Sequence, residues 1–294
     1  MTYCVKDAAG NPDVKKIMQY RKEIRHAAKP FIAGITDKMT PYEALLTVYR
    51  RVIASFDYDG KGLKAGIDKD SGKEDALRSL HSALVGHKVV CAGYAVAMQY
   101  LLQSVGVVCG YVASRPKSGS GHAWNIVKLG KNEVYYLDAT WGDSSNTDEA
   151  QNYSDYVGYD YLCVNTEENE RNGEMRVPAA KITKGLETLT ATKYNYFRYF
   201  HAYLTKCDEE SIVNAFRGCM ERDEISLHFR CSGSGVFHTV TGFLNNAATL
   251  NRLLEQAKAK LSPAMQKKAK KWSLSGYHYT GKDMLTVYYP LKKK

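Results

Sequence analysis

Long apolar runs are missing from this sequence. No stretch approaches the roughly eighteen uninterrupted apolar residues that a membrane-spanning helix needs. The opening Met1-Thr2-Tyr3-Cys4-Val5-Lys6-Asp7 is polar and lacks the apolar centre of a signal peptide. As it stands the chain is expected to be soluble and cytoplasmic; a leader lying outside this sequence would place it at the cell surface or beyond. Cysteines at metal-binding spacing are missing too. The seven cysteines, an odd number, include no C-x-x-C pair and no Cys/His spacing of the zinc kind, so no structural metal, no disulfide framework and no cofactor are expected. There is no glycine-rich phosphate cradle and no internal repeat, which sets aside P-loop nucleotide chemistry and solenoid architectures.

What is present is a chain of 294 residues with 44% hydrophobic content, enough for a proper core in two domains or in one domain with additions. The formal charge is +10, with one dense run at Lys258, Lys260, Lys267, Lys268, Lys270 and Lys271. Such a run reads as a solvated helix face; the alternative is attraction to an acidic surface such as a cell-wall polymer, anionic lipid or nucleic acid. Nucleic acid is the least favoured of these, since charge alone supports it.

The stretch that organises the chain is Val89-Val90-Cys91-Ala92-Gly93-Tyr94-Ala95. Immediately after Cys91, apolar residues Ala95, Met98, Leu102 and Val105 recur at helical spacing, and Gly106 stops the run. Cys91 is therefore expected at a helix N-terminus, where free backbone N–H groups and the helix dipole favour the nucleophilic thiolate. A lone cysteine, without further context, reads first as an inert small core residue. The other six, Cys4, Cys109, Cys163, Cys207, Cys219 and Cys231, read as reduced, mostly buried thiols.

About thirty residues on, Ser120–Leu129 and Val134–Trp141 read as two strands around the turn Gly130-Lys131-Asn132. With those residues as the loop, Leu129 faces Glu133. His122 then lies opposite Thr140 with Asp138 as its diagonal neighbour, roughly 7–8 Å away between Cα atoms on one face. A slip of one residue would separate the two. Cysteine at a helix start, histidine on one strand and aspartate on the next is the layout of a nucleophile, its base and the group that orients the base. Trp124 shares the His122 face and is expected to shield the Cys–His pair. Trp141 reads as core or cleft wall, and the loop Ser114–Gly121 as a border of the site. His87 and Lys88 read as surface residues or as a source of positive potential.

The words Ser82-Ala83-Leu84-Val85-Gly86-His87-Lys88-Val89-Val90-Cys91-Ala92-Gly93-Tyr94-Ala95, Gly121-His122-Ala123-Trp124-Asn125 and Leu137-Asp138-Ala139-Thr140-Trp141, in this order, resemble the bacterial transglutaminase-like superfamily, whose core is related to papain-type cysteine proteases. The resemblance covers about residues 40–170. It implies an α+β fold in which the helix bearing Cys91 packs on an antiparallel sheet bearing His122 and Asp138. It also implies acyl transfer from a protein or peptide amide through a thioester, ending in cross-linking or in hydrolysis. In that family a side chain in the region of Phe56-Asp57-Tyr58-Asp59-Gly60, read here as a turn, can help the Cys backbone N–H hold an oxyanion. Tyr58 is the candidate, the alternative being a tyrosine of the groove wall. The rival from another class is an inactive binding module docking to an acidic cell-surface partner.

Around this core, residues 13–29 read as a peripheral helix ended by Pro30, within an N-terminal helical extension, 1–39. Thr40-Pro41-Tyr42-Glu43 reads as a capping box opening a helix to about Phe56, with Leu45, Val48, Val52 and Phe56 inward. Ser71-Gly72-Lys73-Glu74 reads as a second box opening a helix through Leu84, and Val107–Ala113 as a buried strand. Tyr159–Val164 reads as a strand, the polar run Asn165–Glu170 as the close of the catalytic domain, 40–188, and residues 171–193 as a linker. Residues 189–294 are expected to form a small α+β module. In it a helix spans Glu209–Arg222, a strand Ile225–Cys231, a flexible break Ser232–Gly235 and a helix carries Phe243, Leu250, Leu253, Leu254 and Leu261. A hairpin of Ser273–Tyr279 with Met284–Tyr289 closes the module. Tyr194–His201, rich in aromatics, reads as a partly buried strand or domain contact.

Overall fold

The computed structural model describes residues 10–62, 64, 76–114, 121–143, 157–171, 188–274, 278–280 and 285–293. The second capping box at Ser71–Glu74, most of the Ser114–Gly121 loop and most of the expected linker lie outside them. The chain divides into two compact units, Met1–Leu162 with Val177–Leu189, and Cys163–Arg176 with Thr190–Lys294. Among the described residues no helix is long and apolar enough to cross a membrane.

In the first unit, helix α1 (Val14–Ile32) is capped by Asp13, whose carboxylate accepts the Lys16 N–H. Pro30 does not end it: a proline in the last turn costs one hydrogen bond, and burial of Ala28 and Phe31 on either side offsets that loss. Helix α2 (Pro41–Ile53) starts with the expected capping box. The Thr40 hydroxyl accepts the Glu43 N–H, and the Glu43 carboxylate accepts the Thr40 N–H at 2.7 Å. Leu45, Val48, Val52 and Phe56 are all buried. The chain then forms not a plain turn but a short strand, β1 (Asp57–Tyr58). Residues 76–86 are not a continuous helix: they end in a π-turn, Ser82–Gly86. His87 closes this turn at φ 61° and stacks its ring on Phe56 at 5.6 Å. Strand β2 (Lys88–Val89) pairs in parallel with β1, and this bridge sets Tyr58 beside the start of the next helix.

That helix, α3 (Cys91–Ser104), buries Tyr94, Ala95, Ala97, Met98, Leu101 and Leu102, a wider face than the expected stripe, because it packs against α2 on one side and the sheet on the other. Gly93 allows its close seating: a Cβ there would fall 2.4 Å from the Val89 Cβ and 2.8 Å from the Leu77 carbonyl oxygen. Strands β3 (Val108–Ser114), β4 (His122–Gly130) and β5 (Glu133–Leu137) run antiparallel in that order. As the edge strand, β3 is not wholly buried; Cys109 points inward while Val108 and Tyr111 are exposed. The Asn125 side chain ties helix to sheet, donating to the carbonyls of Ala95 at 2.9 Å and Gly110 at 3.1 Å.

Between β4 and β5 the expected register holds from Lys128–Val134 to Asn125–Leu137. The turn itself is tighter than expected, with Gly130 paired to Glu133 and a bulge before it absorbing the extra residue. Strand β5 also stops earlier than the sequence suggests. Asp138 caps a helical turn, α4 (Ala139–Gly142), by accepting the N–H groups of Thr140 and Trp141, so the chain leaves the sheet at the aspartate. Gly142 lies where this turn meets α2: a Cβ would overlap the Tyr49 hydroxyl and approach the Ile53 Cδ1 to 3.0 Å. The chain leaves this unit along β6 (Leu162–Val164).

The second unit is α+β. After α5 (Thr166–Arg171) comes α6 (Tyr196–Tyr199), a helical turn where a strand was expected, because Asn195 caps it through the Arg198 N–H. Strand β7 (Tyr203–Leu204), helix α7 (Glu209–Glu221) capped by Asp208, and strand β8 (Ser226–Cys231) follow. The expected flexible break shrinks, since Gly233 already caps α8 (Ser234–Leu244). The single helix expected next is divided: Asn246 caps α9 (Ala247–Ala259), and Ser262 followed by Pro263 opens α10 (Pro263–Ala269). Strands β9 (Ser273–Leu274), β10 (His278–Thr280) and β11 (Thr286–Lys292) complete a sheet ordered β10-β11-β8-β7, with β9 also on β11. In the lysine run Lys258 is buried, donating to the Trp272 carbonyl at 2.8 Å, while Lys260, Lys267, Lys268, Lys270 and Lys271 are exposed.

The Gly142 contact gives a direct expectation. Gly142→Ala forces Tyr49 or α4 to move and lowers stability by about 1–3 kcal/mol. Gly86→Ala, where an added Cβ meets nothing within 4 Å, changes it by less than about 0.5 kcal/mol. Urea unfolding midpoints of the two variants check the difference.

Candidate active site

The site is built from the ends of three elements in the first unit. Helix α3 starts at Cys91 with no side-chain cap on its first turn, so the leading N–H groups remain free of side-chain acceptors and the positive end of the dipole falls on the sulfur. The thiol is partly exposed. Strand β4 starts at His122, and its imidazole Nε2 lies 2.5 Å from Oδ2 of Asp138. Asp138, at the exit of β5, is fully buried. Its other carboxylate oxygen accepts the N–H groups of Thr140 at 2.9 Å and Trp141 at 3.1 Å. Two backbone donors and one imidazole thus satisfy a charge that burial alone would make costly.

Burial works against a charged His122, but the hydrogen bond to Asp138 and then the hydrogen bond with Cys91 overcome it. Its pKa rises from 6.5 to about 10. Since Nε2 faces the carboxylate, Nδ1 is the ring nitrogen left for the sulfur. Two indoles enclose the ring, Trp124 stacked at 5.8 Å and Trp141 tilted at 5.9 Å. Trp124 is buried, and Trp141 borders the ring, in keeping with the cleft-wall alternative. Tyr58 is half-exposed. Burial, and then the charges of Cys91 and Asp138, push its pKa up, so its hydroxyl stays a hydrogen-bond donor in the field of both groups.

His87 and Lys88 play a lesser part. The His87 ring packs on Phe56 and Phe31 and meets the Leu84 carbonyl at 3.0 Å, and Lys88 is exposed. The other described cysteines lack the environment of Cys91. Burial pushes the thiols of Cys109 and Cys231 up to about 12. Cys207 also precedes a helix, yet burial and then the carboxylates of Asp208 and Glu209 raise its pKa. Among the described residues no group of three or more His, Cys, Asp and Glu side chains is arranged to hold a metal ion. Reading the sequence passed over Tyr94 and Asp143, whose side chains meet at 2.5 Å next to the site. A tyrosine inside an apolar helix reads as core, and nothing in its spacing points to an acid nearly fifty positions away.

Residues 29–141 match the family described as the transglutaminase-like superfamily. A crystal structure of a TGase is similar at 14% identity with a TM-score of 0.37, over 44% of this chain and 34% of that one; the chain spans about a third of that protein's length. No curated protein matches.

Folding raises the His122 pKa, so protonation of this ring stabilises the fold fully below about 6.5, and the contribution is lost as pH rises through about 10. NMR titration of the ring is expected to give a midpoint near 10, and Asp138→Asn to lower it. A midpoint near 6.5 in the unaltered protein would rule out the described coupling.

Proposed function

We propose, taking residues 29–141 as a transglutaminase-like superfamily core, that the protein is a cysteine acyl-transfer enzyme acting on protein or peptide amides. The observation that carries this reading is the 2.5 Å contact between His122 and a fully buried, doubly backbone-bonded Asp138, with the His122 ring also under the influence of a cysteine at an uncapped helix start.

The Cys91 thiolate adds to the amide carbonyl carbon, and the carbonyl π electrons move onto oxygen. The Cys91 N–H and the Tyr58 hydroxyl donate to that oxyanion. His122, protonated at neutral pH, delivers its proton to the nitrogen as the C–N bond breaks, and an amine departs. A thioester remains. Neutral His122 then takes a proton from an incoming amine or water as it attacks the thioester carbon, and Cys91 leaves as thiolate. An amine yields a new amide cross-link, and water yields the acid. Asp138 holds the ring orientation and offsets the imidazolium charge throughout. Trp124 and Trp141 keep bulk water from the ring, which strengthens that electrostatic coupling.

The test is incubation of a glutamine-containing peptide library with a small primary amine, read by mass spectrometry. The unaltered protein is expected to incorporate amine, deamidate glutamine or cleave the backbone. Cys91→Ala is expected to do none of these, and Asp138→Asn to slow the reaction by about 10²- to 10⁴-fold. Identical spectra for the unaltered protein and Cys91→Ala would remove the reading for those substrates.

A further inference from the structure

Asp138 and Asp143 stand at the two ends of one helical turn. Asp138 is the N-cap of α4 and Asp143 its C-cap, with the Asp143 N–H returning to the Ala139 carbonyl at 3.1 Å. The Asp143 side chain is buried, and its Oδ2 accepts a hydrogen bond from the Tyr94 hydroxyl at 2.5 Å. Tyr94 lies in the first turn of α3, three positions after Cys91, and its own N–H returns to the Val90 carbonyl at 3.2 Å. The bond therefore joins the turn that starts at the sulfur to the turn that starts at the carboxylate.

We infer that Tyr94 is a positioning residue, clamping the Cys91 turn to the Asp138 turn through Asp143 and so fixing the distance between the sulfur and the imidazole that Asp138 holds. Its role is not explained by core packing alone. The ring packs edge-on against Phe56 at 5.3 Å, which a phenylalanine would do equally well, whereas the hydroxyl is committed to a buried carboxylate. Burial, then the charge and hydrogen bond of Asp143, keep that hydroxyl protonated, so the clamp remains a donor wherever the enzyme works. Phe56, against which the ring packs, immediately precedes β1, which carries Tyr58, so that strand starts beside the clamp. One hydroxyl thus sits where the segments bearing Cys91, Tyr58 and Asp138 converge.

This inference rests on the acyl-transfer reading of Cys91, and the experiment separates the two. Iodoacetamide labelling of Cys91, followed at the peptide level near neutral pH, reads the sulfur's coupling to His122 without needing a substrate. Amine incorporation reads turnover. Tyr94→Phe and Asp143→Ala are expected to slow both by about tenfold or more, with KM moving less than about twofold. Asp143→Asn, which keeps an acceptor oxygen for the hydroxyl, restores both rates to within about threefold. Tyr94→Phe leaves a buried carboxylate without its donor. The double variant Tyr94→Phe/Asp143→Asn removes that charge as well and is expected to show the same loss in a protein with an unaltered circular dichroism spectrum. Labelling at the original rate in the folded double variant, or Asp143→Asn as slow as Asp143→Ala, overturns the clamp. A protein that transfers no acyl group, yet whose Cys91 labelling is slowed by Tyr94→Phe, loses the acyl-transfer reading and keeps the clamp.

Discussion

A single buried carboxylate governs the first unit's working end. Asp138 has no exposed surface, and an ion in that position is tolerable only while its donors stay in place. Two of them are the N–H groups of Thr140 and Trp141, which exist as donors because the strand ends there and a helical turn begins. The third is His122. Secondary structure and site are therefore one construction: the aspartate that ends β5 also fixes the imidazole. Remove the carboxylate and the turn loses its cap, the ring loses its orientation and the sulfur loses a charged neighbour together.

The surrounding packing holds the participants of that construction at their separations. Helix α3 is wedged between α2 and the sheet, with Gly93 letting its first turn approach Val89 and the Leu77 carbonyl. Turn α4 is pressed on α2 at Gly142, where the Tyr49 hydroxyl also donates to the Gly158 carbonyl at 2.5 Å. In both places a glycine permits a contact that a methyl group would prevent. Surroundings then separate Cys91 from Cys207, Cys109 and Cys231. Cys207 lies two residues before α7, whereas Cys91 is the first residue of α3, and Cys207 is flanked by the carboxylates of Asp208 and Glu209. A helix start alone does not make a reactive thiol.

Much of this arrangement was legible in the amino-acid sequence, for identifiable reasons. The Cys91 helix start follows from apolar spacing, the α2 start from a capping box, and the His122–Asp138 pairing from counting across a hairpin. The count worked although the turn was tighter than assumed, because a bulge restored the register before it reached the site. Other features depended on capping competitions that local propensity does not resolve. Strand β5 read as continuing through Trp141 because Thr140 and Trp141 favour strands, whereas the Asp138 carboxylate captured their N–H groups first. In the second unit, Asn246 and Ser262 divide what apolar spacing presents as one helix. The Tyr94–Asp143 bond was illegible for a different reason: it joins residues far apart in the chain, and neither belongs to a local pattern.

The most direct measurement of the central claim is the proton NMR spectrum of the folded protein below the His122 midpoint. A hydrogen bond between a protonated imidazole and a buried carboxylate, as between Nε2 and Asp138, places its proton far downfield of the amide envelope. The account predicts one such resonance, assigned to His122 by nitrogen labelling and abolished in Asp138→Asn. A spectrum with no such resonance, or one in which it survives in Asp138→Asn, would contradict it.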